Sequence, residues 1–164
     1  EKLAARSSKV PNLYLDVSLL NQYWGSDRVY HHTAPVNMNF GMREALRLLA
    51  DEGLENAWDR HRCNAEALWA GLESLGLELH VPEVLRLPTL TTVCIPDGVD
   101  GNAFRLHLLN EHGIEIGGGL GSLAGKIWRI GLMGYNSTPK NVELLLNLFE
   151  SELPRFRGNV AVAA

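Results

Sequence analysis

The chain is short of the residues that mark several common chemistries. It has 2 cysteines among 164 residues, Cys63 in a charged helical stretch and Cys94 in an apolar run. They form no CxxC pair and share no His/Cys spacing suited to zinc, so a cysteine-ligated metal centre is not expected. A reduced, intracellular protein is the simplest reading, although two cysteines could pair. Clustered positive charge is also missing: the formal net charge is −4 and Lys and Arg are scattered, which gives no face for nucleic acid. No apolar run is long enough to span a bilayer and no signal-peptide pattern is present, so no membrane partner is expected. The closing Ala-Val-Ala-Ala is no peroxisomal address, which leaves the cytoplasm as the default location. The first residue is Glu1 and not methionine, which suggests a piece of a longer polypeptide.

The familiar catalytic signatures are absent as well. Gly125-Lys126 is followed by Ile127, where a Walker loop needs Ser or Thr. Gly119 to Ala124 fits a loose GxGxxA, but a dinucleotide site needs a helix next and here a strand is expected. There is no GxSxG elbow, no HExxH and no internal repeat.

What is present is an apolar content of 46%, enough for a globular core. Asp16 is placed to cap a helix through about Trp24. Met38, Met42, Ala45, Leu46 and Leu49 fall at helical spacing, and after Asp51-Glu52-Gly53 a second helical pattern runs from Leu54 to Leu75. The Met and Trp positions of this pair are expected in the core. Leu77 to Val81, Thr89 to Ile95, Ile114 to Ile116 and Ile127 to Leu132 read as strands. A helix from about Asn102 to His112 separates the second from the third. Thr138 and Pro139 then supply the N-cap and first residue of a last helix that runs to Pro154. Residues 156–164 carry no pattern and are expected to be a loose tail. The order is two long helices, then β-β-α-β-β-α, which predicts an α+β layer with helices on one face of a small, mostly antiparallel sheet.

Within the fourth strand one residue is out of place. Arg129 stands in an otherwise apolar run, and an unpaired buried charge costs several kcal/mol. Either an internal carboxylate meets it, or the strand is built to receive an anion, for which the planar guanidinium fork suits a carboxylate. Alternation puts Ile127, Arg129 and Gly131 on one face, with Gly131 leaving open space. The loop before it, Gly117-Gly118-Gly119, either lets two strands turn or lines a site. Lys126 would need a desolvated pocket to form a Schiff base, and nothing in the sequence specifies one.

A second dense stretch is Tyr30-His31-His32-Thr33-Ala34-Pro35-Val36, a polar and aromatic loop of the kind that carries function. Each member has a plain alternative: Tyr30 half-buried, Thr33 capping the next helix, the histidines satisfied by backbone. Adjacent histidines point apart, so a His31/His32 metal site is not expected without other ligands.

Taken together, Tyr30 to Val36, Gly53-Leu54-Glu55-Asn56, Leu85-Arg86-Leu87-Pro88-Thr89, Ile114 to Gly121 and Lys126 to Asn136 resemble the C-terminal half of alanine-glyoxylate aminotransferases, class V pyridoxal-phosphate enzymes of fold type I. The likeness runs from about Leu13 to Leu153. It implies that residues 1–50 are the tail of the large cofactor-binding domain with its linker helix, that 51–155 form the small C-terminal domain, and that 156–164 are a flexible tail. By the same resemblance Arg129 would hold the substrate α-carboxylate. Tyr30 and Thr33 would reach the cofactor phosphate across a homodimer interface, and Gly117, Gly118 and Gly119 would line the site.

The family's cofactor lysine, and the aspartate that pairs with the pyridine nitrogen, lie upstream of anything in this sequence. The resemblance therefore implies pyridoxal 5'-phosphate bound mainly by residues not present, and a chain inactive by itself. Its substrates would be small amino acids and oxo acids: alanine or serine as donor, glyoxylate or pyruvate as acceptor. The contrasting reading is a non-catalytic regulatory or dimerisation module of α+β type that binds a small amino acid, with Arg129 structural or clamping a regulatory ligand. A desulfurase is disfavoured because Cys63 and Cys94 fall in a helix and a strand rather than a mobile loop.

Overall fold

The computed structural model describes Lys2 and residues 5–158. Its internal packing divides the chain into two units, Glu1–Leu48 and Leu49–Ala164. In the first, a short 3-10 turn (Leu13–Leu15) leads into helix α1 (Val17–Trp24). Asp16 caps α1 by accepting from the Ser18 amide, as its position predicts. Helix α2 (Val36–Glu52) follows Pro35, and the division between the units falls inside it, after Leu48.

The expected core places on the helix pair are not all core. Met38 (74% exposed), Met42 and Leu46 on α2 lie on the surface, and so does Trp58 on helix α3 (Leu54–Ser74). The spacing was helical, but a helical stripe is buried only where another element covers it.

Gly53 separates α2 from α3, and its φ of 86° is a conformation that L side chains rarely adopt. From there the second unit assembles one sheet and three helices. Strand β1 (Leu90–Cys94) and strand β2 (Gly117–Gly118) both pair antiparallel with strand β3 (Ile127–Gly131), giving the order β1-β3-β2. Helix α4 (Gly101–His112) joins β1 to β2, and helix α5 (Pro139–Glu152) follows β3. Thr138 accepts from the Asn141 amide at the head of α5, with Pro139 at its start.

Two strand expectations shift. Leu77 to Val81 contributes a single bridge, Leu79 to Val93, flanked by His80 N–H to Thr92 O and Cys94 N–H to Glu78 O. The apolar run Ile114 to Ile116 is not a strand; pairing starts at Gly117, because Ile116 turns into the core while the glycines meet β3.

Helices α3, α4 and α5 supply Leu68, Leu72, Phe104, Leu108, Val142, Leu145 and Phe149 to one core, which meets Val93, Trp128, Ile130 and Leu132 from the sheet. The rings of Phe104, Trp128 and Phe149 pack mutually at 5.1 to 5.6 Å, and Trp128 Nε1 donates to the Gly101 carbonyl at 2.9 Å. Beyond α5 the chain stays attached at the place where a loose tail was expected to begin. Leu153–Phe156 forms a 3-10 turn, Phe156 packs on the core and Arg157 bridges to Val99. Residues 159–164 lie outside those described. Among the described residues no helix is long and apolar enough to cross a membrane.

Candidate functional site

Alternation along β3 sends Trp128 and Ile130 into the core and leaves Arg129 on the other face, half-buried. Its cross-strand neighbours are Thr92 on β1 and Gly117 on β2. Backbone bonds run from Ile95 N–H to Lys126 O and from Leu132 N–H to Thr89 O. This ladder makes Thr92 and Arg129 a non-hydrogen-bonded pair, the kind whose side chains approach most closely.

The guanidinium lies over Gly117. A Cβ built there would stand 3.2 Å from Nη2 and 3.3 Å from Nε. Nε donates to the Gly118 carbonyl at 2.7 Å. Among the described residues no carboxylate forms an ion pair with Arg129. The anchor of the side chain is one backbone oxygen of the glycine loop, and among the described residues no acid pairs with the Nη side of the fork.

Gly131 is exposed, and among the described residues the one atom that a Cβ there would approach is the methyl of the exposed Met133, at 3.1 Å. The room for the guanidinium comes from Gly117. Gly119 answers a different need, because a Cβ on it would fall 1.9 Å from the Leu123 carbonyl oxygen. The tight turn through Gly121–Leu123 is possible only without a side chain there. A recess of about 300 Å³ beside Ile116, Leu132 and Asn136 is not lined by Arg129.

The loop after β3 is held from α3. Arg60 donates to the Gly134 and Ser137 carbonyls at 2.9 and 2.8 Å while its other nitrogens grip Glu52. His61 Nδ1 faces the Ala57 carbonyl at 2.6 Å and Nε2 receives the Gly134 amide at 2.9 Å, so the ring is the Nδ1–H tautomer. Asn64 adds a bond to the buried Ser137 hydroxyl. Sequence reading missed this clamp, since its two halves lie more than 70 positions apart.

In the first unit Tyr30 and Thr33 do come together. Their hydroxyls are 2.9 Å apart, and both residues are exposed. Thr33 is therefore not the cap of α2. His31 Nε2 donates to the Leu13 carbonyl, which leaves its Nδ1 to accept from His32 Nδ1 at 2.8 Å. The two rings satisfy each other, with Tyr14 and Tyr23 packed around His32. Lys126 is exposed, without the desolvation a Schiff-base lysine requires.

The family model for aminotransferase class-V matches residues 12–145. The chain belongs to the class-V aminotransferases. Alanine–glyoxylate aminotransferase of Callithrix jacchus is 46% identical over 156 residues, which span 93% of this chain and 38% of that protein. (S)-ureidoglycine–glyoxylate transaminase of Bacillus subtilis is 43% identical over 147 residues, 90% of this chain and 35% of that protein. Among solved structures, alanine–glyoxylate aminotransferase from a Nostoc species superposes with a TM-score of 0.85 at 62% identity, covering 91% of this chain and 40% of that one. The chain thus spans about two-fifths of the length of the class-V relatives it matches. Its fold is that of the C-terminal α+β part of the fold type I pyridoxal-phosphate transferases.

Proposed function

We propose that these residues are the C-terminal part of a pyridoxal-phosphate aminotransferase that moves an amino group from alanine, or serine, to glyoxylate, or pyruvate. The observation that carries the reading is Arg129: a guanidinium anchored on one backbone oxygen, presented from the central strand of the sheet, with no carboxylate of the described residues paired to it. Such a group binds the α-carboxylate common to amino acids and oxo acids and fixes their orientation. The relatives support the acceptor, since the names of those in marmoset, Nostoc and Bacillus subtilis all include glyoxylate.

Tyr30 and Thr33 fit the cofactor's phosphate. The two exposed hydroxyls stand 2.9 Å apart, and once the bond between them is given up each can donate to a different oxygen of one phosphate. In this reading they serve the phosphate held by the partner subunit of a homodimer, and Gly117 to Gly119 shape the wall beside Arg129. Pyridoxal phosphate, when bound, supplies the electron-accepting ring that amino transfer needs. The lysine and most other ring contacts come from residues upstream of these, so this stretch alone neither fixes the cofactor nor turns over. Its exposed Met38, Met42 and Leu46 are the kind of surface the remaining portion would cover.

The test is Arg129→Gln in the complete polypeptide. A fall in kcat/KM for alanine of at least about a hundredfold, with the cofactor's visible absorbance retained, is the expected result. Unchanged turnover would favour the non-catalytic amino-acid-binding module instead. A panel of alanine, serine and (S)-ureidoglycine against glyoxylate and pyruvate identifies donor and acceptor.

A further inference from the structure

The second half of α4 and the end of α5 bring two imidazoles and a carboxylate together. His107, His112 and Glu152 each direct a ligand-type atom into one spot, all of them within 4.8 Å of one another. None of the three takes part in the site around Arg129. His107 Nε2 lies 2.8 Å from Glu152 Oε2, and the side chains of this pair are only 16% and 18% exposed. The His112 ring stands edge-on to His107 at 5.3 Å and is open to solvent.

The frame around these groups is firm. The Phe156 ring packs on His107 at 5.2 Å and on Phe104 at 5.5 Å, so His107 is seated on the core. Arg155 donates to Glu152 Oε2, which orients the carboxylate and leaves Oε1 without a hydrogen bond among the described residues. Glu152 is held below the ordinary carboxylate range, first by the bond from His107 and then by Arg155.

We propose that His107, His112 and Glu152 form a binding site for a divalent transition metal of the zinc class, tying the end of α4 to the end of α5. Two imidazole nitrogens and one carboxylate oxygen, with water in the fourth place, match the donor set and number that zinc accepts. Tetrahedral zinc with bonds near 2.1 Å sets its ligand atoms about 3.4 Å apart. The pair at 2.8 Å must open slightly and the exposed His112 must swing inward, both within side-chain reach. The balance is simple. Through solvent exchange the proton of His107 moves from Nε2 to Nδ1, the Nε2–H bond breaking as the Nδ1–H bond forms, and the freed Nε2 lone pair of the neutral imidazole takes the metal. The inference does not depend on the aminotransferase reading, because it concerns only groups within the second unit.

The experiment uses the complete polypeptide, untagged and metal-stripped, titrated calorimetrically with zinc chloride near about pH 7.5. One equivalent should bind, and zinc should raise the thermal midpoint. Cobalt(II) in place of zinc should give a visible d–d band of low coordination number. His112→Ala, at an exposed position, should fold normally yet weaken zinc by more than about tenfold and abolish the cobalt band. Cys63→Ser should leave both unchanged. Absence of stoichiometric binding, equal affinity in His112→Ala, or loss of binding in Cys63→Ser would each overturn the proposal.

Discussion

Arg129 and Gly117 face each other across the β2–β3 pairing, and the glycine's missing Cβ is the space the guanidinium occupies. With only 3.2 to 3.4 Å between that virtual carbon and three atoms of the arginine, a larger residue must displace the fork. Gly117→Val should therefore break the Nε–H bond to the Gly118 carbonyl. In a proton–nitrogen spectrum the Arg129 Nε–H resonance is expected to lose its protection from solvent exchange. A resonance that stays protected in the variant would show that the strand, and not the glycine, sets the arginine's direction.

The neighbouring glycines separate by the same construction. A Cβ on Gly119 would collide with the Leu123 carbonyl at 1.9 Å, whereas one on Gly118 meets nothing within 4 Å. Backbone cannot give way as the end of a side chain can, so Gly119→Ala should cost the second unit about 2–4 kcal/mol. Gly118→Ala should stay within about 0.5 kcal/mol of the parent. Urea unfolding followed by the fluorescence of the buried Trp128 reads both. Equal losses would mean that the loop relaxes as a whole.

Acid should weaken the clamp on the loop after β3. The Arg60 guanidinium holds the Glu52 carboxyl below its ordinary value, chiefly through their hydrogen bonds. A carboxyl depressed in the folded state stabilises that state at pH values above its unfolded value, near about 4.3, and the contribution is lost as pH falls through the lower folded value. Glu52→Gln should lower the thermal midpoint at neutral pH and flatten its fall in acid. The change is modest because both side chains are 31% exposed. The Glu152 carboxyl, depressed by His107 and Arg155, leaves a residual slope of the same sign. A variant with the parent's acid profile would mean that the pair adds nothing to folding.

Much of this arrangement could be read from local chemistry. Asp16, Asp100 and Thr138 each accept from amides one turn into a helix, and those bonds are decided by residues two or three apart. The apolar run around Arg129 likewise needed only alternation. The glycine strand did not follow from local preference, because Gly117 and Gly118 have poor strand propensity and pair only since β3 offers them its edge. The clamp of Arg60 and His61 on Gly134, and the approach of His107 to Glu152 over 45 positions, are products of tertiary packing. No spacing in the sequence encodes them.

Thr92 offers the sharpest test of the face that carries Arg129. Its hydroxyl oxygen is buried and has no hydrogen-bond partner among the described residues, although it sits directly across the strand pair from the guanidinium. An unsatisfied buried hydroxyl is a cost, and valine keeps the branched shape that a strand favours. Thr92→Val should therefore raise the stability of this chain by about 1 kcal/mol, read as a higher urea midpoint at unchanged slope. A loss of similar size would mean that the oxygen finds a partner in solution. Because Thr92 and Arg129 stand at a position of close side-chain approach, Arg129 would then be the first group to examine, through its Nε–H signal in the same variant.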